Sequence, residues 1–331
     1  MLGKLFGRGE GRSGGGAGEA SVLAPRKGKH GVKTLRALGD PRVLAAVEAA
    51  DARDWPALKA ALGPFELGHD QAVLGQLAVL DGVQEWLVPA ADEEGDKEHR
   101  ATALLISGAR HVTWGWEART AARAADVTRE QWQIFYERLR IADEQLLEAA
   151  ELRPDWVTPW RHLLTSARGM SLDDSVKEAR LAAGLRRDPL NADIHLEWIS
   201  QLQPRWGGQP GEALEFARKA FAAAPDGHRL GCAVAMARVE QWVESDDGEC
   251  LQDPRIRTEL REAAERSVLH HAYVRRPGWH GDYNIFAMAL SLAGSSIASN
   301  VFRELDGVYT EWPWTFMADP EKTYTRFRKT C

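Results

Sequence analysis

Cysteine is scarce and unpaired: Cys232, Cys250 and Cys331 are the only three in 331 residues, and no CxxC occurs. An odd, widely spaced set excludes a disulfide framework and a thiolate zinc site. One helical thiol is expected to be buried, one to lie in a loop and one to sit exposed at the terminus. Long apolar runs are missing too. Nothing approaches about eighteen consecutive apolar residues, so no membrane span is expected. The start "MLGKLFGRGEG" is interrupted by Gly and charge too early for a secretory signal, which leaves the cytoplasm as the expected location. Alternation of β-branched residues is absent almost everywhere, so no strand is assigned. Lysine is rare at ten against thirty-two arginines. With the abundant Ala and Gly, that bias points to a bacterial genome rich in G and C.

Catalytic signatures are lacking as well. "GMS" and "GSS" are not the GxSxG elbow, there is no HExxH, and no GxGxxG follows a strand. The acid pairs Asp173-Asp174 and Asp246-Asp247 sit in cap or loop contexts, where a solvated carboxylate is the ordinary outcome. No catalytic residue, cofactor or metal is therefore expected.

Charge is unevenly placed. The chain carries −6 overall, yet residues 1–36 hold eight Lys/Arg against Glu10 and Glu19, so that segment is +6 and the remainder −12. An acidic body excludes general nucleic-acid binding, which needs a clustered basic face. Residues 1–31 contain ten glycines and almost no apolar side chain after Phe6, so residues 1–36 read as a flexible basic tail. Contact of this tail with a membrane surface, led by Leu2, Leu5 and Phe6, or with RNA is a secondary expectation.

What is present is helix punctuation. Asp40 before Pro41, then Val43, Leu44 and Val47, predicts one helix; Asp54 caps a second that Gly63-Pro64 stops. A third is predicted over about 70–88, with the charged run 91–100 as a solvated connector. Thr128 and Gln131 form a capping box for the longest helix, whose stripe is Trp132, Phe135, Leu139, Ala142, Leu146 and Ala149. Ser171 is the expected cap of the helix that follows. The organisation read from this is a tail (1–36), N-terminal hairpins (37–100) and a helical repeat region (101–331).

A period supports the last assignment. Prolines that close helical pairs stand at Pro154, Pro189, Pro225, Pro277 and Pro313, with gaps of 35, 36, 52 and 36. Three of the four lie near the roughly 34-residue tetratricopeptide period, and "ESDDGECLQDP" accounts for the long one. Small residues fall where tight packing needs them at Ala142, Ala149, Ala213 and Ala220, while Lys177 and Gly184 break the pattern, so the repeats are degenerate. The fold class expected is all-α: TPR-like helical-hairpin repeats stacked in a right-handed superhelix.

The segments "WGWEARTAARAADVTREQWQIFYERLRIADEQLLEAA", "LQPRWGG", "FARKAF", "YNIFAMALSLAG" and "VFRELDGV", in that order, resemble a bacterial family known only as a domain of unknown function. The likeness spans about residues 102–314. It departs at Gln209, where the family tends to carry Ser. The resemblance implies a tetratricopeptide-like fold and no activity.

In "LQPRWGGQPGEALEFARKAF" (202–221), Gly207 and Gly208 are expected to permit a tight reversal, Pro210 to open the next helix and Trp206 to plug the helical pair. A phosphate loop is excluded, since no Lys-Ser/Thr follows. Thirteen tryptophans are unusual; most suit packing between hairpins, and Trp312 and Trp314 in "EWPWTFM" are the candidate partner anchors. "LHHAYVRRPGWHGDYN" (269–284) is the one polar constellation. His270, His271, His280 and Asp282 offer metal-ligand chemistry, and Arg275 and Arg276 offer recognition of a carboxylate or phosphate. Adjacent histidines point about 100° apart on a helix, and Asp282 is a natural N-cap, so a capped repeat corner is the plainer reading. The function expected is a non-enzymatic scaffold that binds a protein or peptide, with partner contacts at Trp312, Trp314, Arg275, Arg276 and His280. The alternative is an enzyme or a small-ligand or metal-binding protein using the corner at 270–284.

Overall fold

The structure is a computed structural model that describes residues 23–120 and 124–331. The part of the expected tail up to residue 22 lies outside the described residues. Helix dominates, with sixteen α-helices among the described residues and almost no strand. The chain divides into two compact units, one holding Gly39–Asp188 and the other Pro25–Leu38 with Pro189–Cys331.

The first unit contains α1 (Pro41–Asp51), α2 (Trp55–Leu62), α3 (Gln71–Ala78), α4 (Val83–Glu94), α5 (Lys97–Arg119), α6 (Arg129–Leu152), α7 (Thr158–Gly169) and α8 (Asp174–Arg187). Asp40 and Asp54 cap α1 and α2 as their spacing predicts, each accepting from a backbone N–H one turn in. The helix predicted over 70–88 is divided, because Gly82 takes a left-handed φ of 78° between α3 and α4. The run 91–100 is not a connector. Gly95 closes α4 and the Asp96 carboxylate accepts from the N–H groups of Glu98 and His99 to open α5, while Lys59–Glu94, Arg100–Asp92 and Arg100–Glu148 pairs fix the charged residues in helices.

The longest helix, α6, starts at the Thr128–Gln131 capping box and buries Phe135, Leu139, Ala142, Leu146 and Ala149. It packs closely on α5 through glycine. A Cβ at Gly108 would meet Leu146 Cγ at 2.7 Å, so Gly108 sets the approach of the two helices. Each later helix packs on the one before it, and α7 also touches α5. Ser171 does not cap α8. Its N–H and that of Leu172 return to carbonyls of Arg168 and Ala167, so it closes α7 in a left-handed conformation, and Asp173 takes the cap position.

The second unit contains α9 (Ala192–Gln201), α10 (Glu212–Ala223), α11 (Gly231–Glu244), α12 (Pro254–Glu265), α13 (His280–Leu292), α14 (Ala298–Leu305), the single turn α15 (Glu311–Trp314) and α16 (Pro320–Thr330). Helices α9, α11 and α13 pack side by side, with α10, α12 and α14 each against its predecessor. The central helix α11 is covered all round, since every residue from 231 to 240 is buried. Tail residues 25–36 depart from expectation. Strands β1 (Arg26–Lys27) and β2 (Lys33–Thr34) pair antiparallel, and β2 bridges to Val308. The reason is tertiary: two-residue strands carry no local signal, and the edge at 308 supplies the order.

Candidate functional site

Three charged residues follow prolines at similar distances. Asp193 stands four residues after Pro189, Arg229 four after Pro225 and Asp282 five after Pro277, which puts them at the starts of α9, α11 and α13. There they meet. The Arg229 guanidinium donates to Asp282 Oδ1 and Oδ2 at 2.9 and 3.0 Å and to Asp193 Oδ2 at 3.0 Å, and the Tyr273 hydroxyl donates to Asp282 Oδ2 at 2.8 Å. Burial opposes the arginine charge, but Asp193 and Asp282 outweigh it and hold Arg229 well above its ordinary pKa. Burial and then the Asp282 charge push the Tyr273 hydroxyl up, and the same two causes push up the buried Cys232 thiol. Asp282 is thus not the N-cap of α13. Trp279 holds that position, and the Asp282 side chain turns inward to the ion pair.

His280 stacks on Trp279 with ring centroids 3.8 Å apart, and burial followed by the nearby Arg275 charge lowers its pKa to about 4. Arg275 lies over the Trp279 ring at 4.2 Å and pairs with Glu304. Arg276 is exposed beside it. His270 and His271 lie in a turn rather than on a helix, their centroids 4.3 Å apart. Among the described residues no three His, Cys, Asp or Glu are grouped to hold a metal ion. The corner therefore brings Arg275, His280 and Asp282 together, with Asp282 paired inside the fold and Arg275 stacked on Trp279 and ion-paired at the surface.

The loop "LQPRWGG" is a brace of the same kind. Helix α9 ends at Gln201 and Pro204–Trp206 forms a single tight turn. Arg205 donates to the buried Glu240 of α11 at 2.7 Å and to Glu244 at 2.5 Å. Gly207 is left-handed at φ 98°, and a Cβ at Gly208 would run into the Leu202 carbonyl. Pro210 lies before α10 instead of inside it, and the Glu212 carboxylate accepts from the Gln209 N–H. Trp206 is half-buried.

The two anchor tryptophans separate. Trp312 is 40% exposed, whereas Trp314 is fully buried and donates from Nε1 to Asn284 Oδ1 at 2.8 Å. Trp314 is therefore a core residue, enclosed by Tyr324 and Phe327, and no surface anchor.

The first unit holds a patch that sequence reading missed. Trp132 and Tyr136, one turn apart on α6, stack nearly parallel at 5.5 Å; Tyr136 is 48% exposed, and Arg119 lies over Trp132 at 5.4 Å. The i, i+4 aromatic spacing is the signal that could have found it. Nearby, Arg138 covers Trp114 at 3.9 Å, and burial followed by Arg138 and Arg110 lowers His111 to a pKa of about 4. No helix among the described residues is long and apolar enough to cross a membrane. A scan against protein-family models returns no match, and neither does a search of the curated proteins.

Proposed function

We propose that the protein is a non-enzymatic, tetratricopeptide-like interaction protein of the bacterial cytoplasm, its hairpins stacked in a right-handed superhelix and its partner a protein or peptide. The resemblance of residues 102–314 to the bacterial family of unknown function belongs to this reading. One observation carries it: the Asp193–Arg229–Asp282 ladder, in which equivalent positions of successive hairpins are tied together. It also directs the chemistry of the corner toward packing, which weakens the alternative of an enzyme or a ligand or metal site at 270–284.

Because α11 is buried all round, recognition falls to loops and outer faces. Trp312 and Arg276 in one unit, and Trp132 with Tyr136 in the other, have the aromatic and arginine chemistry of binding hot spots. Residues 1–36 keep the secondary reading of contact with a membrane surface or RNA. The test is affinity capture from native lysate with wild-type chain, Trp312→Ala and Tyr136→Ala. A stoichiometric protein lost on either substitution, with helix content unchanged by circular dichroism, supports the proposal. Capture of a small molecule or metal alone, abolished by His280→Ala, would replace it with the alternative.

A further inference from the structure

We propose that Pro25–Leu38 is an exchangeable strap, and that the edge it occupies at residues 306–309 accepts the same segment from a second copy of the chain. The strap doubles back on itself, Arg26 opposite Thr34 and Lys27 opposite Lys33. It docks along Val308 in parallel. The Lys33 N–H donates to the Gly307 carbonyl at 2.8 Å and the Tyr309 N–H to the Lys33 carbonyl at 2.8 Å. Val32 is fully buried, Lys33 Nζ reaches Asp306 at 2.6 Å, and the Thr325 hydroxyl donates to the His30 carbonyl at 3.1 Å. A two-stranded hairpin is marginal by itself, so the edge provides the order. What the edge recognises is extended backbone carrying an aliphatic and then a basic side chain, which every copy of the strap presents.

Exchange is indicated by the way the strap ends. Ala37, Leu38 and Gly39 have φ of 47°, 59° and 74°, three successive left-handed residues of which only the glycine adopts that conformation freely. At this point the chain passes from one compact unit to the other, Leu38 closing the first segment and Gly39 opening the next. Straightening this hinge relieves Ala37 and Leu38. The docked contacts are the same whichever copy supplies them, so hinge strain biases the chain toward exchange and concentration drives it.

The experiment is light scattering on size-fractionated full-length chain after long incubation over a wide range of concentration. The expected result is a slowly reverting dimer that grows with concentration. Leu38→Gly, which removes the strain at Leu38 and keeps Val32 and Lys33 in place, lowers the dimer fraction severalfold. Val32→Asp abolishes the dimer while helix content persists, and a labelled peptide of residues 25–38 binds that variant at least tenfold more tightly than wild type, whose own strap competes. A wild-type chain that stays monomeric at every concentration overturns the proposal, whatever the peptide does. So does a dimer that Val32→Asp forms equally well.

Discussion

Removing one carboxylate probes the corner at residues 270–284 at the scale of single residues. Asp282→Ala strips Arg229 and Tyr273 of a shared partner, and the expected loss is about 3 kcal/mol by urea denaturation, because a buried group left unpaired keeps its desolvation penalty. Arg276→Ala, on the exposed side of the same loop, should stay within about 0.5 kcal/mol of wild type. The tryptophans diverge in the same way. Trp314→Ala empties a sealed site and should cost about 3–5 kcal/mol, whereas Trp312→Ala should cost under about 1 kcal/mol. Equal losses for the two would contradict their assigned places. Thiol titration gives an independent check: the exposed Cys331 should react first and the buried Cys232 only on unfolding. The sequence pointed to Arg275, His280 and Asp282 as a group, but residue types cannot reveal that Arg229, forty-six or more residues upstream of all three, neutralises Asp282.

Among elements, the competition is between helix propensity and space. Alanine is better than glycine inside a helix by about 1 kcal/mol. At Gly169, however, a new Cβ would lie 2.6 Å from Leu139 and 2.7 Å from Phe135, and overpacking of that kind costs about 1–3 kcal/mol. Gly169→Ala should therefore lower the thermal midpoint. Gly281→Ala, in the first turn of α13 with nothing within 4 Å of the new Cβ, should raise it. A higher midpoint for Gly169→Ala would mean that α7 and α6 are not in close approach. Caps at Asp40, Asp54 and Thr128 were legible because a cap is a local contract between a side chain and the next turn. The split at Gly82 and the helical character of 91–100 were not: a glycine is compatible with either a continuous helix or a left-handed break, and cross-helix ion pairs hold the charged residues of 91–100 in helices.

For the whole molecule, acid sensitivity is the sharpest expectation. His111 and His280 are lowered to about 4, and His162, buried with neither ring nitrogen bonded, is also lowered, by burial and then Arg161. Each folded site favours the neutral ring, so the unfolded chain takes up protons first. Stability is whole above pH about 6.5 and falls as pH drops toward 4, by about 3 kcal/mol for His111 alone. Carboxylates held low by arginine partners, such as Asp40 and Asp155, add their losses only below that window. Urea midpoints at pH 7 and 4.5 measure the histidine phase, and identical midpoints would refute it. Part of this protein was determined by sequence alone: an all-α chain, the helix starts at Asp40, Asp54 and Thr128, and the apolar stripe of α6, because caps, prolines and apolar stripes act over one or two turns. Only the tertiary structure decided which tryptophan is sealed, that Arg229 gathers two distant acids, and that residues 25–38 belong with residues 306–309. Those outcomes depend on packing between segments far apart in the chain, where burial and charge pairing outweigh any local preference.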